Sequence, residues 1–149
     1  MVGGGGGSPN GSRSVRLAMQ AEHQGAYGVV VNAPMPNEVI AEIKSVVDIP
    51  VIATVVSDRS DIKGRIEAGT DIFNVSGAAE TASIVRHIRE QVRKIREKFP
   101  DVPIIATGGP TEESILETIR AGANAITITP PTTGELFAGI MHDYREKKL

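Results

Sequence analysis

The amino-acid sequence predicts an α/β protein in which short parallel β-strands alternate with amphipathic helices. Three observations lead to this fold class. Short continuous apolar runs, such as residues 27–32 and 51–56, are bounded by proline or polar residues and are typical of strands covered on both faces. Between these runs the apolar residues recur every three or four positions, which indicates helices. A strand–helix–strand unit also recurs along the chain.

The predicted elements follow one another in regular alternation. Strands are predicted over residues 27–32, 51–56, 72–76, 104–107 and 125–129. Helices are predicted over residues 15–24, 37–47, 61–68, 80–98 and 111–120, and a last helix opens at Thr132 or Thr133. The predicted N-caps of three of these helices are Asn37, Ser60 and Thr111.

The first fourteen residues, MVGGGGGSPNGSRS, are of low complexity. We interpret them as a flexible tail that precedes a single α/β domain over residues 15–149. A glycine loop that binds an anion is the alternative. The segment does not match the P-loop pattern, because Ser12 and Arg13 stand where Lys and Ser or Thr are needed and no strand precedes them.

Composition excludes several classes of protein. Hydrophobic residues make up 40% of the 149 residues and the formal net charge is −2, so no basic surface is expected for nucleic acid. The absence of cysteine excludes disulfides, thiolate metal sites and cysteine nucleophiles. No apolar run approaches the length of a membrane span. We therefore expect a soluble cytoplasmic protein that binds neither nucleic acid nor membrane.

An internal repeat organises most of the chain. The run DIPVIAT at residues 48–54 matches DVPIIAT at residues 101–107, and IEAG at 66–69 matches IRAG at 119–122. Both pairs are offset by 53 residues, so the two strand–helix–strand units share one register.

Polar residues end the predicted strands. In parallel α/β sheets, ligands bind at the carboxyl ends of the strands, where loops and helix N-termini meet. The sequence therefore predicts a ligand-binding site at this edge, and its candidate residues are Asn32, Thr54, Asn74, Ser76, Thr107 and Thr129, with Thr127 as the repeat equivalent of Asn74.

Two loops carry the remaining candidates. Gly108 and Gly109 precede the predicted cap Thr111, an arrangement that suits either a tight turn or a phosphate bound by backbone N–H groups. After the second strand, Asp58 is the candidate general base and Arg59 the candidate clamp for an anion. The alternative for this second loop is a polar turn that only caps the next helix. No metal or cofactor is predicted, because the three histidines are scattered and no metal-binding motif is present.

The runs IIATGGPTEES (104–114) and RAGANAITITPPT (120–132) resemble the last two strand–helix units of phosphate-binding (β/α)8 barrels. Aldolases of the keto-deoxy-phosphogluconate and transaldolase types and thiamine-phosphate synthase are the nearest in character. The resemblance, from about residue 26 onward, implies that Gly108 and Gly109 hold a phosphate. It also implies that the protein is a lyase or isomerase acting on a small anionic metabolite, either phosphorylated or carboxylated.

The chain departs from those barrels in three ways. No predicted strand contains the lysine of Schiff-base aldolases, and Pro130 and Pro131 stand where the second phosphate loop has a glycine. Five strands are present where a closed barrel has eight. We therefore expect a partial barrel that self-associates. The alternatives are a flavodoxin-like open sheet for the fold and a non-catalytic half-barrel, completed by a second copy or a partner, for the function.

Overall fold

The computed structural model describes residues 8–32, 34–57, 59–77, 81–128 and 133–147. Six helices alternate with five strands in these ranges. The strands are β1 (Val29–Val31), β2 (Val51–Val55), β3 (Ile72–Val75), β4 (Ile104–Thr107) and β5 (Ala125–Thr127). The helices are α1 (Ser8–His23), α2 (Asn37–Val46), α3 (Ile62–Glu67), α4 (Ala82–Lys98), α5 (Glu112–Arg120) and α6 (Thr133–Lys147).

The five strands form one parallel sheet, which confirms the predicted fold class. Their spatial order is the order in the chain, β1-β2-β3-β4-β5, and each neighbouring pair is parallel. Consecutive units of a (β/α)8 barrel follow this order, whereas a flavodoxin-like sheet places its second strand outside its first. The order therefore favours the barrel-like arrangement.

One face of the sheet carries the helices and the hydrophobic core. Alternate strand residues point to this face and are buried, because side chains in a strand alternate between the two sides. Around β1 they pack against α1 and α2, and around β3 and β4 they pack against α4. The central contributions come from Val31, Val51, Phe73 and Ile104, each fully buried.

The opposite face carries side chains that are only partly buried. The residues between those of the core point to it, and most of its apolar members lie toward the amino ends of the strands: Val30, Ile52, Ile72 and Ile105. Polar side chains follow toward the carboxyl ends. In a closed barrel this face would line the interior.

Helix α1 begins earlier than the sequence predicts. It starts at Ser8, so residues 8–14, which we interpreted as tail, are helical. The physical reason lies in α2: a side chain at Gly11 would come within 3.1 Å of Val39 Cγ2. Glycine thus allows a close approach between the two helices. Ser14 and Ala18 of α1 are buried, and this burial compensates for the low helix propensity of the segment.

The caps differ from expectation at two helices. Asp61, not Ser60, caps α3, with its Oδ1 accepting the N–H of Gly64 at 2.9 Å. Pro36 precedes α2, and Asn37 is its first residue. At α5 the prediction is confirmed, because Thr111 Oγ1 accepts the N–H of Ser114 at 3.2 Å.

Helix α6 presents apolar side chains to solvent. Phe137, Ile140 and Tyr144 recur at helical spacing, and each is about 60% exposed. In the ranges that the structure describes, no helix is long and apolar enough to cross a membrane.

Candidate functional site

The carboxyl ends of β1, β2 and β3 bring three predicted site residues into one row. Thr54 and Asn74 are register partners in adjacent strands, and Thr54 Oγ1 donates to Asn32 Oδ1 at 3.2 Å. All three side chains point to the face opposite the helices. The parallel sheet thus gathers residues that lie about twenty positions apart in the chain.

A second row continues across β3, β4 and β5. Ser76 and Thr107 each follow a paired residue of β3 and β4, and Thr107 pairs with Thr127. The hydroxyl oxygens of Thr107 and Thr127 lie 3.4 Å apart. Thr127 stands where the 53-residue offset of the repeat predicts the equivalent of Asn74. The predicted Thr129 lies outside the described residues.

Asn74 occupies the middle of this polar edge and leaves an acceptor without a partner. Its Oδ1 is buried and accepts no hydrogen bond from the described residues. A buried polar atom that lacks a protein partner is expected to bind water or a ligand. The carboxyl edge therefore offers a hydrogen-bond acceptor at its centre.

The two glycines after β4 have different roles. The N–H of Gly108 donates to the carbonyl of Thr127 at 3.1 Å, so it continues the sheet. A Cβ at Gly108 would lie 2.5 Å from Ile126 Cγ2, which explains the glycine by packing. Gly109 adopts a positive φ of 84°, and its N–H meets no acceptor among the described residues. Of the two N–H groups, that of Gly109 is the one without an acceptor among the described residues, and the residue itself is buried.

A side-chain network behind this turn holds it in place. Ser114 Oγ donates to the carbonyl of Gly108 at 2.8 Å. Arg89, from α4, donates to Ser114 Oγ at 2.7 Å and also pairs with Glu117. Arg89 could not be identified from the sequence, because 25 residues separate it from Ser114 and no motif links the two.

The loop after β2 lies beside a separate cavity of about 400 Å³. Exposed Arg59 lines it, together with Arg65 from α3, whose side chain is only 6% exposed. The sequence places Arg65 in a short polar helix and gives no sign of its burial. Asp58, the candidate base, lies outside the described residues. No cluster of three metal-ligating side chains occurs in the ranges described.

Two curated proteins share sequence similarity with this chain. It is 30% identical over 125 residues to a putative N-acetylmannosamine-6-phosphate 2-epimerase of Shouchella clausii, a match that covers 76% of this chain and 53% of that protein. It is 33% identical over 75 residues to inosine-5'-monophosphate dehydrogenase of Halalkalibacterium halodurans, covering 49% of this chain and 15% of that enzyme.

The chain thus spans about half the length of the epimerase and a smaller share of the dehydrogenase. No protein-family model matches it. Both relatives are named for a phosphorylated compound. With the sequentially ordered parallel sheet, these similarities support a distant relationship to phosphate-binding barrel enzymes.

Proposed function

We propose that this chain forms the phosphate-binding part of a barrel-like enzyme, an isomerase or lyase that acts on a small phosphorylated or carboxylated metabolite. The observation that carries the proposal is Gly109, whose N–H is free of acceptors among the described residues and lies just before the capped N-terminus of α5. Backbone N–H groups and the helix dipole both favour an anion at such a position.

The names of the relatives favour one of the two reaction classes. One of them is an epimerase, and both names contain a phosphate ester. Epimerisation is an isomerisation, so we place isomerase ahead of lyase. The chemistry requires a group that removes a proton and hydrogen-bond partners that orient the substrate.

The candidate residues divide these roles. Asp58 is the proposed base and Arg59 the proposed partner of a second anionic group. The polar edge would orient the substrate through its hydroxyl and amide groups, with Gly108 shaping the turn and Gly109 donating to the phosphate. The orienting residues proposed are Asn32, Thr54, Asn74, Ser76, Thr107 and Thr129.

Phosphate binding is tested by titration calorimetry with inorganic phosphate and with N-acetylmannosamine-6-phosphate. A carboxylate placed beside Gly109 should repel the ligand, so Thr107→Asp should weaken binding at least tenfold. The matched control is Gln20→Asp on the exposed side of α1, which should bind as the native chain does. Absence of heat at millimolar ligand, or equal binding by both variants, would contradict the phosphate site.

Catalysis is tested separately by deuterium incorporation from heavy water into N-acetylmannosamine-6-phosphate. If Asp58 is the base, Asp58→Asn should abolish exchange while phosphate affinity stays within about twofold. Exchange that persists in Asp58→Asn removes Asp58 from the mechanism. Phosphate binding without any exchange in the native chain would favour a non-catalytic module.

The alternative, a half-barrel that functions by assembly, is favoured by the apolar side chains on α6. A stripe of this kind is expected to be covered in solution. Light scattering coupled to size exclusion should then show a dimer or larger species that Ile140→Glu converts to monomer, while Glu146→Lys, elsewhere on α6, has no effect. A monomer at all concentrations would contradict assembly through this helix.

A further inference from the structure

The most unusual charge in the molecule is the guanidinium of Arg65. The side chain extends from α3 into the space beneath the segment that follows β1, and only 6% of the residue is exposed. Its Nη2 makes one long hydrogen bond, 3.4 Å, to the carbonyl of Met35. Its Nη1 is buried and has no partner among the described residues.

In the described part of the chain, the carboxylate whose charge acts on Arg65 is that of Asp61, and both of its oxygens already accept hydrogen bonds. Asp61 lies one helical turn before Arg65, but its Oδ1 accepts the N–H of Gly64 at 2.9 Å and its Oδ2 accepts Asn37 Nδ2 at 3.0 Å. No ion pair joins Arg65 to any acidic side chain in the described part of the chain. Burial lowers the pKa of Arg65 below its ordinary value, and the charge of Asp61 only partly opposes this.

A buried cation without an ionic partner is costly, and it persists where a ligand supplies the missing charge. Here the charge borders an open space rather than close-packed core. The cavity of about 400 Å³ between the segments that follow β1 and β2 is lined by buried Arg65 and by exposed Arg59. Asp61 also lines it, and both of its carboxylate oxygens accept hydrogen bonds from other groups. Its size suits a small metabolite.

We propose that Arg65 and Arg59 form an oxyanion-binding site in this cavity, which receives the carboxylate or phosphate group of a small ligand. A planar guanidinium presents paired donors that match two oxygens of either group. The site differs from the turn at Gly109, because β2 and β4 are separated by one strand and their ends therefore lie on the order of 10 Å apart. The proposal stands whether or not Gly109 binds phosphate.

The experiment follows the side-chain Nε–Hε signals of arginine by NMR during titration of the whole chain with inorganic phosphate and, in a second arm, with sodium acetate. Sodium chloride holds the ionic strength constant. We expect the Arg65 signal, assigned by its absence in Arg65→Met, to shift saturably with at least one anion. The arm that saturates identifies a phosphate or a carboxylate as the ligand group.

The Thr107→Asp variant separates this site from the phosphate site. In Thr107→Asp, the Arg65 signal should still shift with the anion, and the midpoint of the titration should be unchanged. Arg65→Lys retains the charge but not the planar guanidinium, so anion affinity, read from the Arg59 signal, should fall at least fivefold. If both Arg65 and Arg59 signals remain unmoved by either anion while phosphate still binds the native chain and not Thr107→Asp, the proposal is wrong and the function at Gly109 stands.

Thermal unfolding gives an independent readout. Because Arg65 is buried and has no ion pair among the described residues, Arg65→Met should leave the unfolding temperature unchanged or raise it, and the exposed control Arg93→Met should leave it unchanged. At saturating anion, the native chain and Arg93→Met should gain more stability than Arg65→Met. The proposal would be overturned if ligand-free Arg65→Met unfolds at a lower temperature than the native chain and all three proteins gain equal stability from the anion. Arg65 would then serve to hold the segment after β1.

Discussion

Asp71 and Asn124 occupy equivalent positions in the two repeats and make the same hydrogen bond. Asp71 Oδ2 accepts the backbone N–H of Val51 at 2.8 Å, and Asn124 Oδ1 accepts that of Ile104 at 2.9 Å. Each oxygen also accepts a hydrogen bond from a cationic side chain on the helix that precedes the neighbouring strand. The donor is Lys44 in the first repeat and Arg96 in the second. The repeat detected in the sequence is therefore a structural one, and its two copies differ at this point by one charge.

Giving each position the side chain of the other, in two separate variants, should change the free energy of unfolding in opposite directions. Asp71→Asn keeps the acceptor for Val51 but loses the ion pair with Lys44, whose partners are each about one-third exposed, so we expect a loss below about 1 kcal/mol after solvent screening. Asn124→Asp places a carboxylate beside Arg96 and should be neutral or stabilising by a similar amount. Urea unfolding of the two variants measures both changes in unfolding free energy. Destabilisation by Asn124→Asp would contradict the prediction.

Removing the acceptor should cost more than removing the charge. Asp71→Ala leaves the N–H of Val51, a fully buried residue, without its partner, and such a loss typically costs about 1–3 kcal/mol. The control is Asp71→Asn, which retains an oxygen there. Equal midpoints for the two variants in urea would show that the hydrogen bond to Val51 contributes little.

Gly109 should tolerate no side chain, for two separable reasons. Its φ of 84° is strained for alanine, and a Cβ there would lie 2.3 Å from Ser114 Oγ. We expect Gly109→Ala to lower stability by about 1–3 kcal/mol. Ser114→Ala removes the contact with Oγ but not the backbone strain. In a Ser114→Ala background, Gly109→Ala should therefore lower stability by less than it does in the native chain, but still lower it. No loss in that background would mean that the left-handed backbone carries no cost.

Arg89 and Ser114 should be energetically coupled. They are joined by a hydrogen bond of 2.7 Å, and Ser114 in turn donates to Gly108. A double-mutant cycle with Arg89→Met and Ser114→Ala should give an interaction energy of about 0.5–3 kcal/mol. The reference cycle pairs Ser114→Ala with Arg93→Met on the exposed side of the same helix and should be additive. Additivity in both cycles would exclude a role for Arg89 in holding the turn.

Phe73 should contribute most to the core around β3. It is completely buried against α4 and the neighbouring strands. Truncation of a buried phenylalanine costs about 3–5 kcal/mol, so Phe73→Ala should lower the free energy of unfolding by this amount. Val56, half exposed just beyond β2, is the control, and Val56→Ala should change the unfolding free energy by less than about 0.5 kcal/mol. Similar losses at both positions would indicate that the core is centred elsewhere.

The positions of the strands could be predicted from the sequence because their cause is local. A run such as Ile104–Thr107, apolar on both faces and bounded by proline and glycine, has few stable environments other than a covered parallel sheet, and the structure places β4 at those residues. The repeat adds the register between units. From these, the gathering of Thr54, Asn74 and Thr107 at one edge follows, since parallel strands end on the same side.

Only the tertiary structure decided which groups of the edge are free and which are occupied. Gly108 and Gly109 look alike in the sequence, yet one N–H is taken by Thr127 and the other meets no acceptor among the described residues. Arg65 appears as an ordinary polar helix residue until α3 turns it beneath the segment after β1. Arg89 of α4 donates a hydrogen bond to Ser114 of α5. Burial and hydrogen-bond partnership depend on segments twenty or more residues apart, and local pattern carries no information about such pairs.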